Sequence, residues 1–139
     1  MFCGEFSHTL DAKKRLVLPA KLREQLGADV VMTKSVDKCI SLYTAESWRS
    51  YCEKLDLLPL TKTRQVKRFL YASAFETSVD SQSRILISPN LCEYASLDKN
   101  VAVIGVGDHV EIWDAQLWAN ERTSENADDI AATLAELGL

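Results

Sequence analysis

The chain has 139 residues, 47% of them hydrophobic and 26% charged, with a formal net charge of −4. That length suits one ordinary domain, or two very small ones sharing a core, and the composition is that of a folded globular protein. Apolar runs are only a few residues long, against the roughly 20 a membrane-spanning helix needs, and Met1-Phe-Cys-Gly-Glu-Phe-Ser-His8 lacks the basic and apolar regions of a secretory signal, so a cytoplasmic protein is expected.

The charge is unevenly spread. Residues 1–71 hold 13 Lys+Arg against 8 Asp+Glu, and residues 72–139 hold 3 against 12. Such asymmetry points to a polyanion-binding face on one side, which an acidic protein can still present because attraction follows local potential. Cys3, Cys39, Cys52 and Cys92 are scattered with no Cys-x-x-Cys pair, and only His8 and His109 join them. Free thiols are expected, with no metal site and no cofactor.

In chain order, a short strand leads to the polar turn Asp11-Ala-Lys-Lys-Arg15, whose Asp favours turns by bonding nearby backbone N–H groups. Arg15-Leu-Val-Leu18 reads as an aliphatic strand bounded by Pro19, which suits the first turn of a helix carrying Leu22 and Leu26 and stopped by Gly27. Strands are predicted over Val30–Thr33 and Cys39–Tyr43. Thr44 then caps a helix on which Trp48, Tyr51, Cys52 and Leu55 recur at helical spacing. A second helix is predicted over 62–75, with Val66, Phe69 and Leu70 on one face and Arg64, Lys67 and Arg68 opposite. Its basic side reads either as a solvated face or as a secondary phosphate contact.

The pattern then repeats. Asp80-Ser-Gln-Ser-Arg84-Ile-Leu-Ile-Ser-Pro89 matches Asp11 to Pro19, Leu91 and Glu93 match Leu22 and Glu24 at an offset of 69, and Ile112-Trp113 and Trp118 match Leu42-Tyr43 and Trp48 at 70. Strands follow at Val101–Val106 and Val110–Trp113, and an acidic helix is predicted over 123–137 with Ile130, Leu134 and Leu137 in a stripe. That stripe either caps its own module or docks on a neighbouring subunit. The organisation expected is a first ββαββ module over 5–47, a helical connector over 48–75, a second module over 76–119 and a C-terminal helix over 120–139. Neither module is large enough to bury a core alone.

Gly4-Glu-Phe-Ser-His-Thr-Leu-Asp11-x-x-x-Arg15-Leu-Val-Leu-Pro-Ala-Lys-Leu-Arg-Glu24, with Trp48, Asp80-x-x-x-Arg84-Ile-Leu-Ile and Glu111-Ile-Trp113, resembles the MraZ family over nearly the whole chain. The resemblance implies an α+β, β-rich fold: an AbrB-like pseudo-symmetric barrel from two SpoVT-AbrB modules with accessory helices. It also implies a ring-shaped homo-oligomer that binds double-stranded promoter DNA in repeated elements and regulates transcription of the bacterial division and cell-wall gene cluster, in the cytoplasm at the nucleoid. Asp11 with Arg15 and Asp80 with Arg84 would be the DNA-contacting loops. Lys14 and Ser83 stand where the family has Gly, a change that matters if φ is positive there; Ser88 replaces a usual Pro, and Cys92 a usual Arg.

The residues themselves leave two readings of each arginine: a planar donor for base edge or phosphate, reinforced in the first loop by Lys13 and Lys14, or an internal salt bridge closing a turn. Asp11 and Asp80 are expected to position the loops, since a carboxylate repels phosphate. Trp48, Trp113 and Trp118 are expected in the core rather than stacked on bases. No catalytic constellation, membrane segment or small-molecule substrate is expected, and the rival reading is an antitoxin-type protein-binding module of the same fold.

Overall fold

Both copies fold in the same order, and the computed structural model describes all 139 residues. The first copy comprises β1 (Phe2–Thr9), β2 (Arg15–Val17), α1 (Ala20–Leu26), β3 (Asp29–Lys34), β4 (Ile40–Thr44) and α2 (Ala45–Asp56), and α3 (Leu60–Ser73) connects it onward. The second comprises β5 (Phe75–Ser78), β6 (Arg84–Leu86), α4 (Pro89–Tyr94), β7 (Asn100–Gly107), β8 (Val110–Asp114) and α5 (Ala115–Thr123), followed by α6 (Ala127–Glu136).

Local chemistry explains the boundaries. Gly27 ends α1 at φ 78°, Thr44 Oγ1 accepts from Ser47 N at 2.9 Å to start α2, and the Ser88 hydroxyl caps α4 with Pro89 in its first turn. The second predicted helix begins and ends earlier than 62–75, because Ala74 turns extended (ψ 131°) and residue 75 already opens β5. Its buried face also differs: Thr63 and Leu70 point inward while Val66 is exposed, so the apolar periodicity misplaced one residue. The acidic helix expected over 123–137 is α6, which starts only at Ala127, where the Asn126 side chain accepts from Asp128 N and Asp129 N; the separate helix α5 ends at Thr123.

Six antiparallel strands form one sheet in the order β1-β7-β8-β4-β3-β5, and β2 and β6 form a separate two-stranded ribbon. The repeats exchange strands: β1 of the first copy pairs with β7 of the second, and β5 of the second pairs with β3 of the first. Two ladders cross the pseudo-twofold axis. Ser41 faces its repeat counterpart Glu111, and Leu16 faces its counterpart Ile85. The architecture is therefore α+β with two interlocked repeats; the sheet itself is open, with β1 and β5 at its edges, and no closed barrel forms. Each edge strand leads through its Asp turn into the β2–β6 ribbon.

The core is shared, as the small size of each copy requires. Leu16 and Ile85 from the ribbon, Leu22 and Leu91 from α1 and α4, and Met32, Ile40, Leu42, Val103 and Ile112 from the sheet belong to one buried cluster. Tyr43 meets Trp48 at 5.6 Å and Trp113 meets Trp118 at 5.4 Å, so repeat-matched aromatics pack in equivalent pairs. At Gly105 the β1 backbone comes so close that a Cβ would lie 2.3 Å from Cys3 N.

Candidate nucleic-acid interface

The two Asp-x-x-x-Arg loops have the same construction. Asp11 Oδ1 accepts from Lys13 N and Arg15 N, both at 2.9 Å, and Oδ2 accepts from Arg15 Nε at 2.7 Å. Asp80 Oδ1 accepts from Gln82 N at 2.9 Å and Arg84 N at 2.8 Å, and Oδ2 from Arg84 Nε at 2.9 Å. The backbone N–H of Arg15 is the main cause that holds the Asp11 carboxyl below its ordinary range, and that of Arg84 does the same for Asp80. Each aspartate thus shapes its loop and fixes its arginine.

Lys14 and Ser83 have φ of 61° and 62°, so both equivalent loop positions have positive φ although neither residue is glycine. That conformation turns their carbonyls across the ribbon: Lys14 O accepts from Ile87 N and Ser83 O from Leu18 N, both at 2.9 Å. An L-residue in this region costs about 1–2 kcal/mol. The cross-ribbon bonds offset part of that cost.

Arg15 and Arg84 lie on the outer face of the ribbon, opposite the inward Leu16 and Ile85. Their side chains keep 31% and 24% of their accessible surface. The internal ion pair of the second reading is present, since each Nε is committed to its aspartate, and neither guanidinium's terminal nitrogens have a partner within the chain. Lys13 and Lys14 are exposed beside Arg15, so the first loop presents three cations and the second only Arg84.

Two residues escaped the sequence reading. Arg23 on α1 reaches across the repeat boundary and donates through Nη1 to Ser83 Oγ, buttressing the second loop from the first copy. Its repeat counterpart is Cys92, which is buried and cannot reach Lys14 in the same way, so the first loop lacks this support. The sequence carried the signal as the departure at Cys92. Lys99 joins Lys14 along a shallow depression of about 340 Å³ with Asp11 and Asp98, placed there by Leu10 N donating to Lys99 O.

Other groups stand apart from the loops. On α3, Lys62, Arg64 and Arg68 are exposed, while Lys67 pairs with Asp56 at 3.1 Å and does not share their free face as expected. His109, at the β7–β8 turn, stacks on Tyr43 at 5.2 Å between Asp108 and Glu111. The Glu111 carboxylate first, and Asp108 second, raise the His109 pKa against the effect of burial. All four cysteines are free thiols; Cys39 and Cys92 are buried, and burial pushes Cys39 up to about 12. No helix is long and apolar enough to cross a membrane.

Fold and loops together define a two-repeat α+β protein whose distinctive surface chemistry is a pair of aspartate-held arginines on one exposed ribbon. The sequence profile of the MraZ protein, described as antitoxin-like, matches residues 1–68 and again 70–136. The chain is 46% identical to the transcriptional regulator MraZ of Lactiplantibacillus plantarum, covering 96% of this chain and 98% of that one. It is 45% identical to the MraZ regulator of Acetivibrio thermocellus and 42% to that of Clostridium tetani, each with both chains covered in full. The chain belongs to the MraZ family, a family of transcriptional regulators and not of enzymes.

Proposed function

We propose that this chain is a sequence-specific regulator that grips double-stranded promoter DNA with the β2–β6 ribbon and its two loops. The observation that carries the reading is the outward placement of Arg15 and Arg84 on one ribbon, each with Nε held by an aspartate and its terminal nitrogens free. A two-stranded ribbon fits the major groove, and a preorganised guanidinium donates bidentately to guanine or phosphate. Lys13 and Lys14 add phosphate contacts that position the protein without reading sequence. Asp11 and Asp80 orient the donors. The finer architecture proposed is that of two SpoVT-AbrB modules, residues 5–47 and 76–119, with the 48–75 connector and the 120–139 tail outside them.

Four cations per chain bind weakly on a molecule of net charge −4. A ring-shaped homo-oligomer removes the difficulty, since each bound loop raises the effective concentration of the next at the DNA. The targets proposed are repeated elements in the promoter of the division and cell-wall gene cluster, and the site of action is the cytoplasmic nucleoid. Gel-shift titration with duplexes of one and of several repeats from the upstream region tests this. Binding should tighten steeply with repeat number, and equal affinity for the single repeat would overturn the avidity argument.

A further inference from the structure

The last helix has nothing in its own chain to hold it. Every residue of α6 is exposed, although Ile130, Leu134 and Leu137 fall at i, i+4 and i+7 on one face. A helix of ten residues is marginal in water. The connector helix α3, by contrast, buries Thr63 and Leu70 and is tied to β3 by Thr33 Oγ1 donating to Leu70 O at 2.8 Å. Packing of that kind is what α6 lacks.

A second apolar surface is also bare. Leu57, Leu58 and Leu60 at the α2–α3 corner are 86%, 55% and 64% exposed, a cluster of large apolar side chains that isolated surface leucines do not make. The two surfaces are opposite in charge. Residues 57–68 carry Lys62, Arg64, Lys67 and Arg68 and no acid, while residues 125–139 carry Glu125, Asp128, Asp129 and Glu136 and no base. Lys62, Arg64 and Arg68 make no ion pair within the chain, and neither do Asp129 and Glu136, which lie together on one flank of the α6 stripe.

We infer that α6 of one chain docks on the α2–α3 corner of a second copy, with Ile130, Leu134 and Leu137 against Leu57, Leu58 and Leu60 and the acidic flank against Lys62 and Arg64. The occupant is a second copy because the two complementary surfaces lie on this same chain and leave each other bare: every residue of α6 is exposed, and so are Leu57, Leu58 and Leu60, so α6 does not cover the corner of its own chain. The two patches differ, so the contact is head-to-tail: each added chain leaves one patch of each kind free, which closes into a ring when the rotation permits. This assignment rests on the oligomer proposed above and names the surface that builds it.

The test uses the full chain and measures molar mass by light scattering after size exclusion. The wild type should run as a multiple of 15.6 kDa. Ile130→Asp with Leu134→Asp, and separately Leu58→Asp with Leu60→Asp, should each fall to the single-chain mass with the cooperative unfolding of the core retained and any loss of helical circular dichroism limited to the ten residues of α6, all four side chains being exposed. Mixing the two variants should give a dimer and nothing larger, because one intact patch of each kind remains. As a milder pair, Asp129→Lys with Glu136→Lys should weaken assembly, and adding Lys62→Glu with Arg64→Glu should restore it. Variants that assemble like the wild type would overturn this docking surface while leaving the oligomer standing. A wild type that stays at the single-chain mass would overturn both.

Discussion

Arg15 and Arg84 stand on the same outward face of one ribbon, with Arg15 opposite Leu86 and Arg84 opposite Val17, so they flank the inward Leu16–Ile85 pair diagonally. Sheet geometry sets such diagonal neighbours about 7–8 Å apart. If both arginines grip the same duplex, Arg15→Ala and Arg84→Ala should each cost about 1–3 kcal/mol of DNA affinity. Gel-shift titration at fixed salt measures this, with circular dichroism confirming the fold. Unchanged affinity for both variants would reduce the arginines to turn-closing ion pairs.

The left-handed positions predict a stability gain. Lys14→Gly removes a Cβ from φ 61°; the strain relieved is about 1–2 kcal/mol, and the extra chain entropy of Gly costs roughly 0.5–1. Thermal or urea unfolding should show a net gain of about 0.5–1 kcal/mol by that difference. The same variant should bind DNA less tightly, with the salt dependence reduced by about one phosphate contact. Lys14→Val should destabilise, because a β-branched residue tolerates positive φ worst.

Asp11→Ala separates positioning from charge. Removing a carboxylate beside DNA would strengthen binding if charge alone mattered. Loss of the bonds from Lys13 N, Arg15 N and Arg15 Nε should instead weaken it, which a titration of the folded variant reads directly. Because both loop aspartates sit below their ordinary pKa, their contribution to stability is present above about pH 4 and is lost as pH falls through the lowered folded values.

His109 works in the other direction. Glu111 and Asp108 favour its protonated form in the fold, so its contribution to stability is complete below its unfolded pKa of about 6.5 and disappears as pH rises through the raised folded value. Urea midpoints should therefore drop on going from mildly acidic to mildly alkaline buffer. His109→Gln should flatten that slope.

Gly105→Ala tests the strand exchange. The new methyl would collide with Cys3 backbone, and β1 must shift off β7 to admit it. Overpacking of this kind costs about 1–3 kcal/mol, visible as a lower unfolding midpoint; Gly27→Ala meets no atom, but at φ 78° and ψ −164° it should cost a similar amount, about 1–3 kcal/mol, from backbone strain alone, with strand pairing untouched.

Several features of the site were readable before any coordinates. The Asp11/Asp80 and Arg15/Arg84 offsets announced two equivalent loops, and the role of Asp as loop former follows from carboxylate chemistry. Arg23 was not readable as a partner of Ser83, because the bond joins residues 60 positions apart in different copies. Helix limits shifted for two reasons: β5 claims Phe75 by pairing with Met32, a tertiary contact, while the Asn126 side chain, a local cap, sets the start of the last helix at Ala127.

Linear order, through aliphatic spacing, turn residues and the duplicated motif, determined by itself which segments become strands and helices, and that there are two similar sets of them. Only the tertiary structure decided that the sets exchange strands and share one core, since a copy of this size has too little apolar surface to bury on its own. It also decided that the two arginines share a ribbon face and that α6 is left without a partner. Those are relations between residues remote in the chain, and pairing energies across space, rather than local propensity, select them.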